Sequence, residues 1–163
     1  MGIHDVPPTE LILRVAEELK KNEAIQAPAW APLVKTGSHK ERAPQQEDWW
    51  HIRSAAILRK IFINGPIGTE KLRTQFGARK NRGVRPSKFV QAGGNHIRKI
   101  LQQLEKAGLT KQSTKGVHKG RIIAPAGQSL LEKMSSEVAK KEGIALPKPQ
   151  EKTKAKKEEN GKQ

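Results

Sequence analysis

Residues 79–88 read RKNRGVRPSK and carry five basic side chains, Arg79, Lys80, Arg82, Arg85 and Lys88, with no acid among them. Cations at that density repel one another unless a polyanion lies against them, and phosphate suits both the forked donors of arginine and the point charge of lysine. Gly83 and Pro86 keep the stretch out of a regular helix, so the charge is expected on a basic loop over 77–94. The same chemistry recurs twice. Lys35, His39, Lys40 and Arg42 are spread along 26–46, a segment broken by Pro28, Pro32, Gly37 and Pro44, and Lys115, Lys119 and Arg121 fall within 109–125. Each phosphate neutralised releases about 0.9 counterion from a duplex and about 0.7 from a single strand, so some ten such contacts would dominate affinity and make it steeply salt-dependent.

Other chemistries find little support. The five histidines (4, 39, 51, 96 and 118) lie far apart and none has a metal-type partner four residues on, so no metal site is expected. Between Lys71 and Gln128 the only acid is Glu105, expected as one half of an ion pair, and no two carboxylates converge near a nucleophile. Glycines 77, 83, 93 and 94 match neither a P-loop nor a dinucleotide fingerprint. With no cysteine, thiol catalysis, disulfides and cysteine-zinc sites are excluded together. The reading is of a protein that is no enzyme, with no catalytic residue, no cofactor and no small-molecule substrate.

The balance of the chain agrees. Of 163 residues, 34% are hydrophobic and 29% charged, with a formal net charge of +16. That charge is concentrated, because Lys71 to Arg121 carries 14 Lys/Arg against the one acid Glu105. A basic zone inside a folded pattern implies a surface matched to a polyanion. No run of about 18 apolar residues is present, and the N-terminal MGIHDVPPTE has no apolar h-region, so neither a membrane span nor a signal peptide is expected and the cytoplasm is the expected compartment.

The elements that must position these charges are mainly helices. Residues 8–22 place Ile12, Val15, Ala16 and Leu19 on one helical face. Residues 26–46 read as a long ordered arm, with Trp30 and Leu33 as its anchors to the body. From Asp48 to Ile63 apolar residues occur nearly all round the helix, the mark of a central element, interrupted by a positive strip of Arg53, Arg59 and Lys60. Trp49 and Trp50 are expected in its core. A short helix over 69–75 has Thr69 as candidate N-cap and Leu72 and Phe76 facing inward. A further helix, 95–107, has an apolar seam of Ile97, Ile100, Leu101 and Leu104 opposite Arg98 and Lys99, with Gly108 as its stop. Residues 109–125 read as a hairpin with a basic tip, 128–141 as a last amphipathic helix, and 147–163 as a disordered Lys/Glu-rich tail.

Helix, short helix, turn, helix, hairpin, helix is the order of a winged helix. The fold class is therefore mostly α: a winged-helix-like bundle of about five helices around a central helix, one domain over 1–146, with one small β-hairpin wing. A DNA-reading winged helix concentrates its cations on the recognition helix and pairs as a dimer. Here they crowd irregular segments at 35–42, 79–88 and 115–121, which suits folded RNA read by shape. A winged-helix DNA-binding regulator stands as the alternative.

VKTG (Val34–Gly37), HKER (His39–Arg42), EDWWHIRSAAILRK (Glu47–Lys60), KNRG (Lys80–Gly83) with Arg85-Pro86, and IRKILQQLEKAGL (Ile97–Leu109) resemble the archaeal and eukaryotic type of the nineteenth protein of the small ribosomal subunit. The resemblance spans about residues 4–141. It implies a monomer when free that becomes a structural constituent of the small subunit's head, bound to rRNA of the 3′ domain beside neighbouring ribosomal proteins and supporting maturation of the subunit RNA. It also implies that Lys35 runs along RNA, that Arg53, Arg59 and Lys60 form a basic patch, and that Lys80, Asn81, Arg82, Arg85 and Arg121 contact RNA. Two departures stand out: Phe76-Gly77-Ala78 where the family often has Tyr-Gly-Gly, and Ala92-Gly93-Gly94 where it has Ala-Ser-Gly, which leaves Asn95 as the expected cap of the third long helix.

Overall fold

The computed structural model describes residues 3–113 and 119–141. In chain order it contains helix α1 (Pro8–Lys20), a single 3-10 turn (Ala31–Leu33), α2 (Trp49–Asn64), α3 (Thr69–Gln75), strands β1 (Ala78–Arg82) and β2 (Arg85–Val90), α4 (Gly94–Lys106), β3 (Thr110–Ser113), β4 (Gly120–Ile123) and α5 (Pro125–Lys141). The expected bundle of five helices is present. The tail at 147–163 and the hairpin tip at Lys115 lie outside the described residues.

Helix α2 is the hub. Trp50, Ile57, Leu58 and Ile61 have no exposed surface, and the helix packs against α1, α4, α5 and β4. An element with neighbours on most sides needs apolar residues on most sides, which is the all-round pattern in its sequence. In α1 the buried face is Leu11, Val15, Ala16 and Leu19, so Ile12, expected on that face, lies at its rim, half-buried. Helix α1 starts at Pro8, whose fixed φ suits the first turn, and ends on Lys20, whose charge opposes the partial negative charge there. Helix α4 buries Ile97, Ile100, Leu101 and Leu104 and stops at Gly108, which takes a positive φ of 71°.

Between α3 and α4 the expected basic loop is a second antiparallel hairpin. Ala78 pairs with Val90, Arg79 with Phe89, Lys80 with Lys88 and Arg82 with Arg85, with a bulge between Lys80 and Arg82. Two local features turn the chain. Gly83 takes φ 69° at the first position of a two-residue turn, and the Asn81 side-chain oxygen accepts a hydrogen bond from the Gly83 N–H at 3.0 Å. Pro86 is tolerated because a two-stranded ribbon consists of edges. The alternating pattern that normally betrays a strand is missing because both strands are exposed along almost their whole length.

The second hairpin, β3 with β4, is the expected wing, paired from Thr110 opposite Ile123 to Ser113 opposite Gly120. Ile67, in the link between α2 and α3, exchanges two backbone hydrogen bonds with Arg121, of 3.1 and 3.0 Å, and fastens the wing to the bundle.

Several local expectations are corrected. Leu33 is no anchor, at 83% exposure. The 3-10 turn, with three residues per revolution, directs Ala31 inward and Leu33 away from the body. Trp30 does anchor, its ring edge-on to Trp50 at 5.7 Å. Neither Thr69 nor Asn95 caps a helix: Gly68 and Gly93 occupy the N-cap positions, with no side-chain cap. Helix α4 begins early because the Gly93 N–H is drawn to the arm, donating to the Thr36 carbonyl at 2.9 Å. Helix α5 begins at Pro125, three residues ahead of the expected Gln128.

Candidate nucleic-acid interface

Two backbone contacts join the arm to the chain just after the first hairpin: the Thr36–Gly93 hydrogen bond and an antiparallel bridge between Gly37 and Ala92. A side chain at Gly37 would stand 2.7 Å from the His39 ring, so glycine is what lets the imidazole fold back against the arm. As a result Lys35, Ser38, His39, Lys40 and Glu41 of the arm and Lys80 and Asn81 of the hairpin line one notch of about 190 Å3. Two basic segments forty residues apart in the sequence thus share a wall.

Along the hairpin, Arg79, Lys80, Asn81, Arg82, Arg85 and Lys88 are all exposed. The register sets Lys80 against Lys88 and Arg82 against Arg85. Like charges directly opposite destabilise a strand pair, so this ribbon is at its most stable with anions on its surface. Arg82 steadies the turn by donating from Nε to the Pro86 carbonyl at 3.0 Å, and Val84 at the tip is fully exposed.

The cations of α2 are organised by Phe76. The Arg53 guanidinium lies over its ring at 4.5 Å from the centroid, and the Lys60 ammonium approaches the same ring at 5.3 Å. Arg53 is half-buried, with Nη1 out of contact with solvent and lacking a hydrogen-bond partner, and Nε of Arg59 is in the same condition. Burial pulls the Arg53 pKa down. The neighbouring histidines respond. Burial, assisted by Arg53, lowers His96 to about 4, and burial with Lys40 and Arg53 lowers His39, which favours the neutral imidazole in each.

The remaining expected contacts are more scattered. Arg42 is exposed on the arm and lines a larger groove with Lys40 and Arg53. Arg98 and Lys99 are exposed on α4, where Lys99 lines a separate concavity with Glu105 and Lys106. Lys119 is exposed at the base of the wing. Arg121 lies on Glu105, with contacts of 3.2 and 3.0 Å, and is mostly covered; this is the ion pair expected for Glu105. Sequence reasoning missed the large groove and the part played by Phe76 in it, because Phe76 and Arg53 belong to different elements and no spacing connects them.

Comparison with known proteins supplies the last observations. A family model described as ribosomal protein S19e matches residues 2–141. Small ribosomal subunit protein eS19 of Aeropyrum pernix is 51% identical over 136 residues, covering 82% of this chain and 87% of its own length. The protein of the same name from Haloarcula marismortui is 42% identical over 134 residues, 80% of this chain and 86% of the relative. Small ribosomal subunit protein eS19G of Ascaris suum is 34% identical over 137 residues, 84% of this chain and 91% of the relative. The match runs through the arm, the central helix, both hairpins and α5, the elements that carry the basic surface, and the chain belongs to the ribosomal protein S19e family.

Proposed function

We propose that this chain, by family a structural protein of the small ribosomal subunit, clamps rRNA of the head domain between its arm and its first hairpin and supports assembly and maturation of the subunit RNA. The observation that carries the reading is the notch that Lys35 and Lys40, with the one acid Glu41, line together with Lys80 and Asn81, beside a ribbon whose register opposes Lys80 to Lys88 and Arg82 to Arg85. A surface whose own charges repel gains most from a phosphate backbone, which neutralises several at once. Lys and Arg contacts to phosphate set position, and shape supplies most of the specificity. Cations on α4, Lys119 and the half-buried strip of Arg53, Arg59 and Lys60 extend the contact. Free in solution the protein is a monomer, with neighbouring ribosomal proteins as its partners in the subunit and no catalytic role.

The test is a double charge reversal, Arg79→Glu with Arg82→Glu. Both residues are exposed, so helicity is kept and melting moves only slightly, the lost Arg82–Pro86 hydrogen bond being offset by relief of the Arg82–Arg85 repulsion, while the protein disappears from the small-subunit peak of a sucrose gradient. A folded double variant that sediments normally with small subunits would overturn the clamp. Wild-type protein that binds duplex DNA as a dimer and avoids small subunits would overturn the RNA reading as a whole.

A further inference from the structure

A groove of about 730 Å3 opens between α1, the arm and α2, within the ~300–1,000 Å3 range of clefts that enclose one small-molecule-sized group. Its floor is apolar, formed in part by Leu13, Trp49, Ile52 and Phe76, and its cations are Lys40, Arg42 and Arg53. No acid is found among the described residues that line it. Leu13 remains 47% exposed on a helix whose other leucines are fully covered. Arg53 presents one face to Phe76 and has an Nη1 without a partner, so its charge is uncompensated by the protein. Lys40 lines both this groove and the smaller notch, which makes the two cavities neighbours along one surface.

We infer that the groove receives a single unstacked nucleotide of the RNA held at the notch, with its base on the apolar floor and its phosphate toward Lys40 and Arg42. This rests on the rRNA-binding reading above. A nucleotide combines the two properties the groove asks for, a flat apolar face and an anionic edge, within one residue of the strand already crossing Lys40. Proteins that recognise folded RNA commonly take splayed-out bases against aromatic side chains and guanidinium planes. The anionic edge also offsets the Arg53 charge, which lines the groove with no acid beside it. An extended acidic peptide from a neighbouring protein is the competing occupant, but it has no connection to the notch that would account for sharing Lys40.

The experiment places a photo-crosslinker in the groove with Leu13→p-benzoylphenylalanine, at a side chain already half in solvent, and assembles the full chain into small subunits. After irradiation and digestion, the expected product is a crosslink to one nucleotide of the rRNA, reduced at least fivefold when Arg53→Met is added. Lys40→Ala with Arg42→Ala, both at exposed positions, reduces the same crosslink and serves as the second variant if Arg53→Met fails to fold. A crosslink to a peptide of another ribosomal protein, an even ladder along helical rRNA, or no crosslink in subunits that contain the protein overturns the inference and leaves the clamp intact. Absence of the unmodified chain from the small-subunit peak overturns the clamp first and the inference with it.

Discussion

The guanidinium carbon of Arg53 lies 4.5 Å from the centre of the Phe76 ring, and the same ring also holds the Lys60 ammonium at 5.3 Å. One phenyl group thus stabilises two cations that would otherwise repel across α2. A cation over a ring contributes ~0.5–1 kcal/mol at a solvated site and more when desolvated. Phe76→Leu is therefore expected to lower the free energy of unfolding by about 1–2 kcal/mol in urea, with Phe76→Tyr close to the wild type because the ring is kept. Unfolding curves for Phe76→Leu and Phe76→Tyr that superimpose would show that the ring faces do no such service.

Lys88→Glu should act in opposite directions on the free and bound protein. It would turn the Lys80–Lys88 register pair into an opposite-charge pair, a change of ~0.2–1 kcal/mol in the ribbon's favour. Amide hydrogen exchange across residues 78–90 is expected to slow. RNA affinity should fall, and the slope of log affinity against log salt should shrink by about 1. Unchanged salt dependence would indicate that the Lys80–Lys88 face of the ribbon does not meet phosphate.

The buried His96 gives a pH dependence of definite sign. Its pKa in the fold is about 4, lowered first by burial and then by Arg53, from an ordinary value of 6.5. An unfolded chain binds the proton across that interval and the folded chain does not, so stability is complete above about pH 6.5 and is lost as pH falls toward 4. At 1.36 kcal/mol per pKa unit the whole effect is roughly 3 kcal/mol. His39, lowered as well, adds in the same direction. His96→Gln should flatten the fall in stability between pH 6.5 and 4.5 relative to the wild type, as followed by chemical denaturation; parallel curves would exclude His96 as the source.

Close backbone approach makes two glycines irreplaceable. A β-carbon on Gly127 would lie 2.3 Å from the Leu109 carbonyl oxygen, and one on Gly120 would lie 2.7 Å from the Ile67 nitrogen. Gly127→Ala and Gly120→Ala are each expected to cost about 1–3 kcal/mol through forced separation of wing and bundle. Gly68→Ala, where nothing stands within 4 Å and φ is −102°, is the control without a clash and should cost no more than about 1 kcal/mol, the ordinary preference for Gly over Ala at an N-cap. Melting temperatures for the three variants settle the ranking.

The sequence disclosed helices better than ribbons, for a physical reason. Long helices announce themselves through seams such as Ile97, Ile100, Leu101 and Leu104, all fully buried, because packing imposes a 3.6-residue period on what is buried. Strands β1 and β2 bury almost nothing, so no period of two is imposed, and Gly83 and Pro86 argued only against a helix. Charge density pointed to the arm and to 79–88, since repulsion is a local property. It did not reveal that the arm and hairpin meet, which depends on the Gly37–Ala92 bridge, or that Arg121 is occupied by Glu105. Leu33 misled because hydrophobicity alone cannot tell which side of a 3-10 turn a residue will face.

The hydrogen bond from Gly93 to the Thr36 carbonyl has a kinetic consequence. It divides the long connection between α1 and α2 into two shorter loops, and with the Gly37–Ala92 bridge it holds the arm where Lys35 and Lys40 share a notch with Lys80 in the folded chain. The entropy of ordering the arm is then lost during the protein's own folding, and a polyanion bound as proposed would meet a formed cleft instead of a strand that must be gathered up. Capture at such a site can proceed in a single docking step, at a rate set by charge and diffusion.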